Sequence, residues 1–337
     1  MHLPPMRGIM AMKRILAISL SIILLITGCG DSGDAPETSA DKVTYLTAFG
    51  AVGRDAFAWV AQEKGYFRDA GLDVTIQLGA ATGENIKVLS AGQAQFANLD
   101  MTGAWILAGK GQAPDIRAFA AVHQQTLVSI IALEGSGITK PKDLEGRKLG
   151  AATGSVNQLL FPAYAKLAGI DASKVEWVNA APAQLPSLLA SGRVDALSTF
   201  LIGARGIEKA AGGKKTVVLP YSEFLPGLFG NGLMASSKVT AADPDMVRRF
   251  RDAALKGLQY TLDHPDEAAQ ILKKAQPTAD VTAAVGEITL MTPAVKPSGV
   301  IDKTKVADAL TTLESNGLIP PGLTPESVVD FSLAPTA

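Results

Sequence analysis

The sequence predicts an α/β protein of two lobes joined by a hinge, and three observations predict it. Residues 43–100 read as strand, helix, strand, helix, strand, a βαβαβ unit. The same order returns at residues 148–199, about a hundred positions later, with Leu89-Ser-Ala-Gly-Gln-Ala-Gln-Phe matched by Leu189-Ala-Ser-Gly-Arg-Val-Asp-Ala. A chain of 337 residues has room for two domains of roughly 100–200 residues, each with its own core.

In the first unit, residues 43–49 form a strand-like run, Asp55 is placed to cap a helix running to Lys64, and Gly65 to stop it. Leu72-Asp-Val-Thr-Ile-Gln-Leu alternates apolar and polar side chains, the period of a strand. A small-residue loop at 79–83 leads into a helix to Ala91, stopped by Gly92, and a last strand at 95–99. In the second unit, residues 148–152, 175–179 and 194–199 read as strands. Residues 156–168 and 184–190 read as helices, with Gly169 and Gly192 as stops. Between the units an apolar run at 116–122 resumes at 127–133, and the polar interruption His123-Gln-Gln-Thr marks a crossing between lobes. A helix near 204–211, a strand at 216–219, a loop at 225–232 and a strand at 232–236 return the chain to the first lobe. Asp243-Pro244 and His264-Pro265 each start a helix, the first with Val247, Phe250, Ala254 and Leu258 in its apolar stripe. The chain stays helical by period to about Asn316, and its Pro-rich last residues read as loose.

Charged residues make up 19% of the chain, and 31 Lys and Arg nearly balance 32 Asp and Glu. Nucleic-acid binding needs a basic face, so that class of partner is excluded. The single cysteine, Cys29, leaves no internal disulfide and no cysteine-based metal site. Its position is informative. Arg7, Lys13 and Arg14 precede a short apolar run at 15–27, and Leu25-Ile-Thr-Gly-Cys29 resembles a lipobox. Residues 1–28 are thus expected to be a lipoprotein signal peptide and Cys29 the lipidated residue. Residues 29–41 then form a flexible tether, and membrane contact runs through the lipid alone.

In open parallel α/β sheets, ligands bind beyond the carboxyl ends of the strands. That rule selects six loops, at 50–55, 79–85, 100–104, 153–157, 180–184 and 199–203. Two of them, around Gly83 and around Thr153, Gly154, Ser155 and Asn157, lead into helix N-termini that offer free N–H groups. Arg54 is a partner for an anion or a member of a surface ion pair. Asp100, beside Met101 and Thr102, either binds an amine or caps the next helix. Phe200 and Phe229 stack on a ring or pack in the core, Trp105 is favoured for the core, and Asn231 is a ligand contact or a turn residue. His123 standing alone reads as structural. No Walker loop, Gly-x-Ser-x-Gly, His-Glu-x-x-His or dinucleotide fingerprint occurs, so the reading is of a protein that is not an enzyme and holds no metal or other cofactor.

Five segments stand together in order: Ala61-Gln-Glu-Lys-Gly-Tyr-Phe, Ala70-Gly-Leu-Asp-Val-Thr, Ser90-Ala-Gly-Gln-Ala-Gln-Phe, Ser136-Gly-Ile-Thr-Lys-Pro-Lys-Asp-Leu-Glu-Gly and Gly192-Arg-Val-Asp-Ala. Over residues 43–274 the chain resembles the SsuA/THI5-like periplasmic binding proteins of ABC importers, whose members bind sulfonates, nitrate and thiamine precursors. The resemblance implies a two-lobed type II periplasmic-binding-protein fold, with lobe one at 42–124 plus 231–337 and lobe two at 125–230. It also implies a monomeric receptor that captures a small-molecule solute, a sulfonate-like anion or a pyrimidine-type heterocycle, and delivers it to an ABC transporter permease. An exported enzyme or a sensor on the same scaffold is the alternative.

Overall fold

The computed structural model describes residues 40–336. The expected signal segment, Cys29 and all but the end of the tether lie outside the described residues. Two five-stranded sheets form the body. The first takes β1 (Asp41–Leu46), β2 (Leu72–Gln77), β3 (Phe96–Asp100), β4 (Ile116–Ala121) and β10 (Asn231–Ser236), in the order β2-β1-β3-β10-β4. The second takes β5 (Val128–Leu133), β6 (Lys148–Ala151), β7 (Glu176–Asn179), β8 (Ala196–Phe200) and β9 (Thr216–Pro220), in the order β7-β6-β8-β5-β9. The repeat is therefore structural: β2-β1-β3 and β7-β6-β8 are the same arrangement, parallel in both sheets.

The sheets are mixed rather than purely parallel, and the crossings explain why. The parallel strands end facing the other sheet. A strand that arrives from the other lobe must enter at that same end, so it runs the opposite way. Thus β10 is antiparallel to β3 and β4, and β5 is antiparallel to β8 and β9. The chain passes across at 122–127 and 221–230, the two-stranded hinge that the polar interruption at His123 marks in the sequence.

The helices are α1 (Ala56–Glu63), α2 (Tyr66–Asp69), α3 (Thr82–Ser90), α4 (Met101–Gly109), α5 (Val156–Leu167), α6 (Leu185–Ala190), α7 (Ala204–Ala210), α8 (Ser237–Ala242), α9 (Pro244–Asp263), α10 (Pro265–Ala275), α11 (Val281–Met291), α12 (Lys303–Ser315) and α13 (Pro325–Val328). Asp243 caps α9 as its sequence suggests, accepting from the Met246 N–H at 2.8 Å. The α9 stripe buries Phe250, which stacks on Phe96 at 4.2 Å and on Phe67 at 5.3 Å between ring centroids. Asp55, in contrast, does not cap α1. Its carboxyl accepts from the Ala48 N–H at 3.0 Å and the Asn98 amide at 2.9 Å, tying the loop after β1 to β3.

The last residues are not loose. Val328 and Leu333 are buried, Val329 bridges to Ala118, and the Asp330 N–H donates to the Ala118 carbonyl at 2.9 Å. β4 is the edge of its sheet, and this segment takes up backbone groups that would otherwise go unpaired.

Candidate functional site

The carboxyl ends of β1, β2, β3, β6, β7 and β8 all open on one cleft between the sheets. At its centre is a cavity of about 20 Å³, walled by Phe49, Arg54, Thr82, Asp100, Ser155, Phe200 and Asn231 with small apolar neighbours. The helices α3 and α5 start at its wall from opposite lobes. Here the lobes touch: a methyl group on Gly83 would lie 3.4 Å from the Gly154 carbonyl oxygen. Outward from this centre the cleft widens into a chamber of about 560 Å³, which shares Phe49, Arg54 and Phe200 with the cavity.

Arg54 sits on a single 3-10 turn (Gly53–Asp55) held against α11, where Gly53 leaves no room for a side chain beside the Ala284 backbone. Its guanidinium lies 4.3 Å from the Phe200 ring centre and 5.2 Å from that of Phe49. One ring comes from each lobe, so the cation is held by aromatic faces from both. A desolvated cation–π contact is worth about 2 kcal/mol. The Arg54 Nε lies 3.9 Å from Asp55 Oδ2, and both side chains are buried.

Asp100 caps α4, accepting from the Gly103 N–H at 2.8 Å. Its second oxygen is buried at the cavity. Burial raises its carboxyl to about 7 against the opposing pull of that hydrogen bond and of Arg54. Glu287, on α11, accepts from the Arg54 backbone N–H at 3.3 Å, and burial likewise raises it to about 7. Its side chain stays partly open toward the chamber. His123 accepts at Nδ1 from the Asn231 N–H at 3.3 Å, which places its proton on Nε2. Burial, assisted by the charge of Arg54, holds its pKa down at about 3, so it is neutral.

Among the described residues, Arg54 Nε, Asp100 Oδ2, Ser155 Oγ and Asn231 Nδ2 are buried without a hydrogen-bond partner, and all four residues wall the cavity. Such atoms normally find partners, because each unsatisfied group costs roughly 1–3 kcal/mol. Four in one place give the site one charged donor, one amide donor, one hydroxyl and one carboxyl oxygen for a bound molecule.

The other sequence-selected residues have different surroundings. The Thr102 hydroxyl donates to the Phe229 carbonyl at 2.7 Å, and Met101 packs beneath Gly232 in the first sheet. Asn157 donates to the Thr199 carbonyl, fastening α5 to β8. Phe229 is fully buried edge-on to Trp105 at 5.6 Å, so neither ring faces the cavity. Thr153 and Gly154 lie exposed on the loop that turns into α5, and Gly154 takes a positive φ there. Sequence reasoning did not select Phe49 or Glu287, and it took Asp55 for a helix cap. Glu287 reaches Arg54 across 233 positions of sequence, and only the folded chain brings them together.

Residues 55–268 match the family described as NMT1/THI5 like. The chain belongs to that family. A formylaminopyrimidine-binding protein of Halalkalibacterium halodurans is 26% identical over 271 residues, covering 80% of this chain and 81% of the relative. The riboflavin-binding protein RibY of Chloroflexus aurantiacus is 24% identical, with 80% of each chain covered. Among solved structures, the alkanesulfonate-binding protein SsuA of Xanthomonas axonopodis pv. citri, bound to MOPS, superposes with a TM-score of 0.68. It is 15% identical, and the match covers 87% of this chain and 99% of that one. The fold is the two-lobed type II periplasmic-binding-protein fold. The matched segment includes Thr82, Asp100, Ser155, Phe200 and Asn231 of the cavity wall, whereas Phe49, Arg54 and Glu287 lie outside it. Among the described residues, no helix is long and apolar enough to cross a membrane, and no cluster of His, Cys, Asp and Glu could hold a metal ion.

Proposed function

We propose that this protein is the lipid-anchored, monomeric solute receptor of an ABC importer, and that its solute is a nitrogen heterocycle with an amino-bearing edge. Lobe one is residues 42–124 plus 231–337 and lobe two residues 125–230. The solute is gripped between them and handed to a membrane permease without chemical change. Signal cleavage before Cys29 and lipid on its thiol keep the receptor membrane-anchored on the extracytoplasmic side, at the outer face of the cytoplasmic membrane or in the periplasm.

The observation that supports this best is the set of four unpartnered polar atoms around the central cavity, flanked by the rings of Phe49 and Phe200. An aminopyrimidine edge offers an acceptor ring nitrogen beside a donor amine. A carboxyl group such as Asp100, poised between its two protonation states, complements both. The rings of Phe49 and Phe200, edge-on to each other at 6.4 Å, give the same wall an apolar aromatic surface. The two curated relatives named above are called binders of a formylaminopyrimidine and of riboflavin, both nitrogen heterocycles. A sulfonate is the second reading, and Arg54 favours it. Three carboxyl groups, on Asp55, Asp100 and Glu287, surround that one cation and make the site poorer for a compact anion.

Only contacts made in the closed form can shift the lobes toward closure. A solute that meets Arg54 and Asp100 on one side and Ser155 and Phe200 on the other makes such contacts. The test is a thermal melt of the protein with 4-amino-5-hydroxymethyl-2-methylpyrimidine, ethanesulfonate and nitrate. A ligand at a hundred times its Kd adds about 2.7 kcal/mol, a rise of several degrees. The pyrimidine is expected to raise the midpoint and to be recovered intact. A rise with ethanesulfonate alone would replace the heterocycle reading, and conversion of the pyrimidine would replace the receptor reading with an enzyme. Cys29→Ser should move the protein from the membrane to the soluble fraction of the producing cells; retention in the membrane would remove the lipid anchor.

A further inference from the structure

The central cavity, at about 20 Å³, holds little more than the polar edge of a ring, whereas the adjoining chamber measures about 560 Å³. The two adjoin at Phe49, Arg54 and Phe200, which wall both. The chamber's wall is largely apolar, with Leu185, Pro186 and Ile207 on the side of the second sheet. At its rim stands Leu78, 51% exposed and the more exposed of the two large apolar side chains that stand open to solvent among the described residues. Among the described residues, its one ionisable wall residue apart from Arg54 is Glu287. That carboxyl is anchored on the Arg54 backbone N–H and partly open to the chamber, and among the described residues it faces no cation in the chamber other than Arg54. An acidic group set in an apolar wall is a donor-recognising group.

We propose that cavity and chamber form one two-part site, and that the solute is an elongated molecule whose ring-bearing body fills the chamber and presents an N–H donor to Glu287. This rests on the receptor reading above and adds to it the size and second polar group of the solute. The body would lie between Leu78 and Ile207, and Glu287 sets specificity from outside the segment that defines the family. The raised pKa of Glu287 fits a group that is costly to ionise until a cationic or N–H partner covers it.

The experiment uses a probe of the chamber alone, 1-naphthylmethylamine, followed by its fluorescence anisotropy on the full protein. It carries the aromatic body and the N–H donor but no pyrimidine edge. Saturable binding is expected, weakened about tenfold or more by Glu287→Gln. Gly206→Phe should abolish it. Gly206 lines the chamber, and a Cβ there would meet nothing nearer than the Ala283 Cβ at 4.0 Å, so the ring fills space without straining the helix. Melting midpoints of the two variants confirm that they fold. Naphthalene without the amine should bind more weakly than the amine to the parent and equally to parent and Glu287→Gln. No saturable binding, or binding indifferent to both substitutions, overturns the two-part site. The aminopyrimidine melt is read separately: a pyrimidine shift with no probe binding sinks this inference alone, and probe binding without a pyrimidine shift sinks only the heterocycle reading of the cavity.

Discussion

Arg54 is held between Phe49 of one lobe and Phe200 of the other, with the carboxyls of Asp55, Asp100 and Glu287 around it. Removing it takes away a cation that all three acids feel. At pH 8, Arg54→Ala should cost on the order of 2 kcal/mol of stability, and distinctly less at pH 5, where Asp100 and Glu287 can be protonated. Melting midpoints at the two pH values check this, and an equal loss at both would mean that the guanidinium does not act through those carboxyls. Asp100 gives the complementary case. Its folded pKa, about 7, lies above the ordinary carboxylate range, so the folded state binds the proton more tightly than the unfolded one. Its contribution to stability is full below about pH 4 and is lost as pH rises through about 7. Asp100→Asn, which keeps an oxygen to cap α4, should therefore stabilise the protein by on the order of 2 kcal/mol at pH 8 and by almost nothing at pH 4. A variant less stable than the parent at pH 8 would contradict the burial argument.

At the scale of elements, α9 shows how tightly the first lobe is assembled. Gly257 faces α1 so closely that a methyl there would stand 2.8 Å from the Ala61 Cβ and closer still to the Phe57 carbonyl oxygen. Backbone cannot swing aside as a side-chain tip can. Gly257→Ala should therefore destabilise by roughly 1–3 kcal/mol, although alanine is the better helix former in isolation. Chemical denaturation measures it, and a stabilised variant would show that the helices can separate freely. Elements of this kind were legible in the sequence because their signals are local. Asp243-Pro244 marks the start of α9, alternation marks β2, and the glycine stops mark α3, α5 and α6. All six loops chosen by the strand-end rule do reach the cleft. What stayed hidden was set by partners distant in sequence. Asp55 looked like a helix cap until Ala48 and Asn98 claimed its carboxyl. The Pro-rich tail looked loose because nothing local says that Val329 meets Ala118. Trp105 and Phe229 could be read as ring-stackers or core, and it is their packing on each other that decides for the core.

For the molecule as a whole, the proposed receptor role makes binding an equilibrium between lobes apart and lobes together, and the geometry of the cleft says where to bias it. Across the cleft α4 meets α5 at Gly103, where a Cβ would stand 2.9 Å from the Val156 Cβ. The contact lies between the lobes, so a larger side chain there opposes closure while each lobe keeps its own core. Overpacking of this kind costs typically 1–3 kcal/mol, here charged to the closed form alone. When only the closed form grips the solute, the apparent Kd rises in proportion to the closed population lost. Gly103→Val should therefore weaken any solute by roughly 5- to 150-fold, whichever chemistry the solute carries. The same variant should give a larger radius of gyration in small-angle scattering with solute present. A selective loss for one solute class would make Gly103 a contact residue, and unchanged affinity would mean that the closed arrangement is not the one that binds.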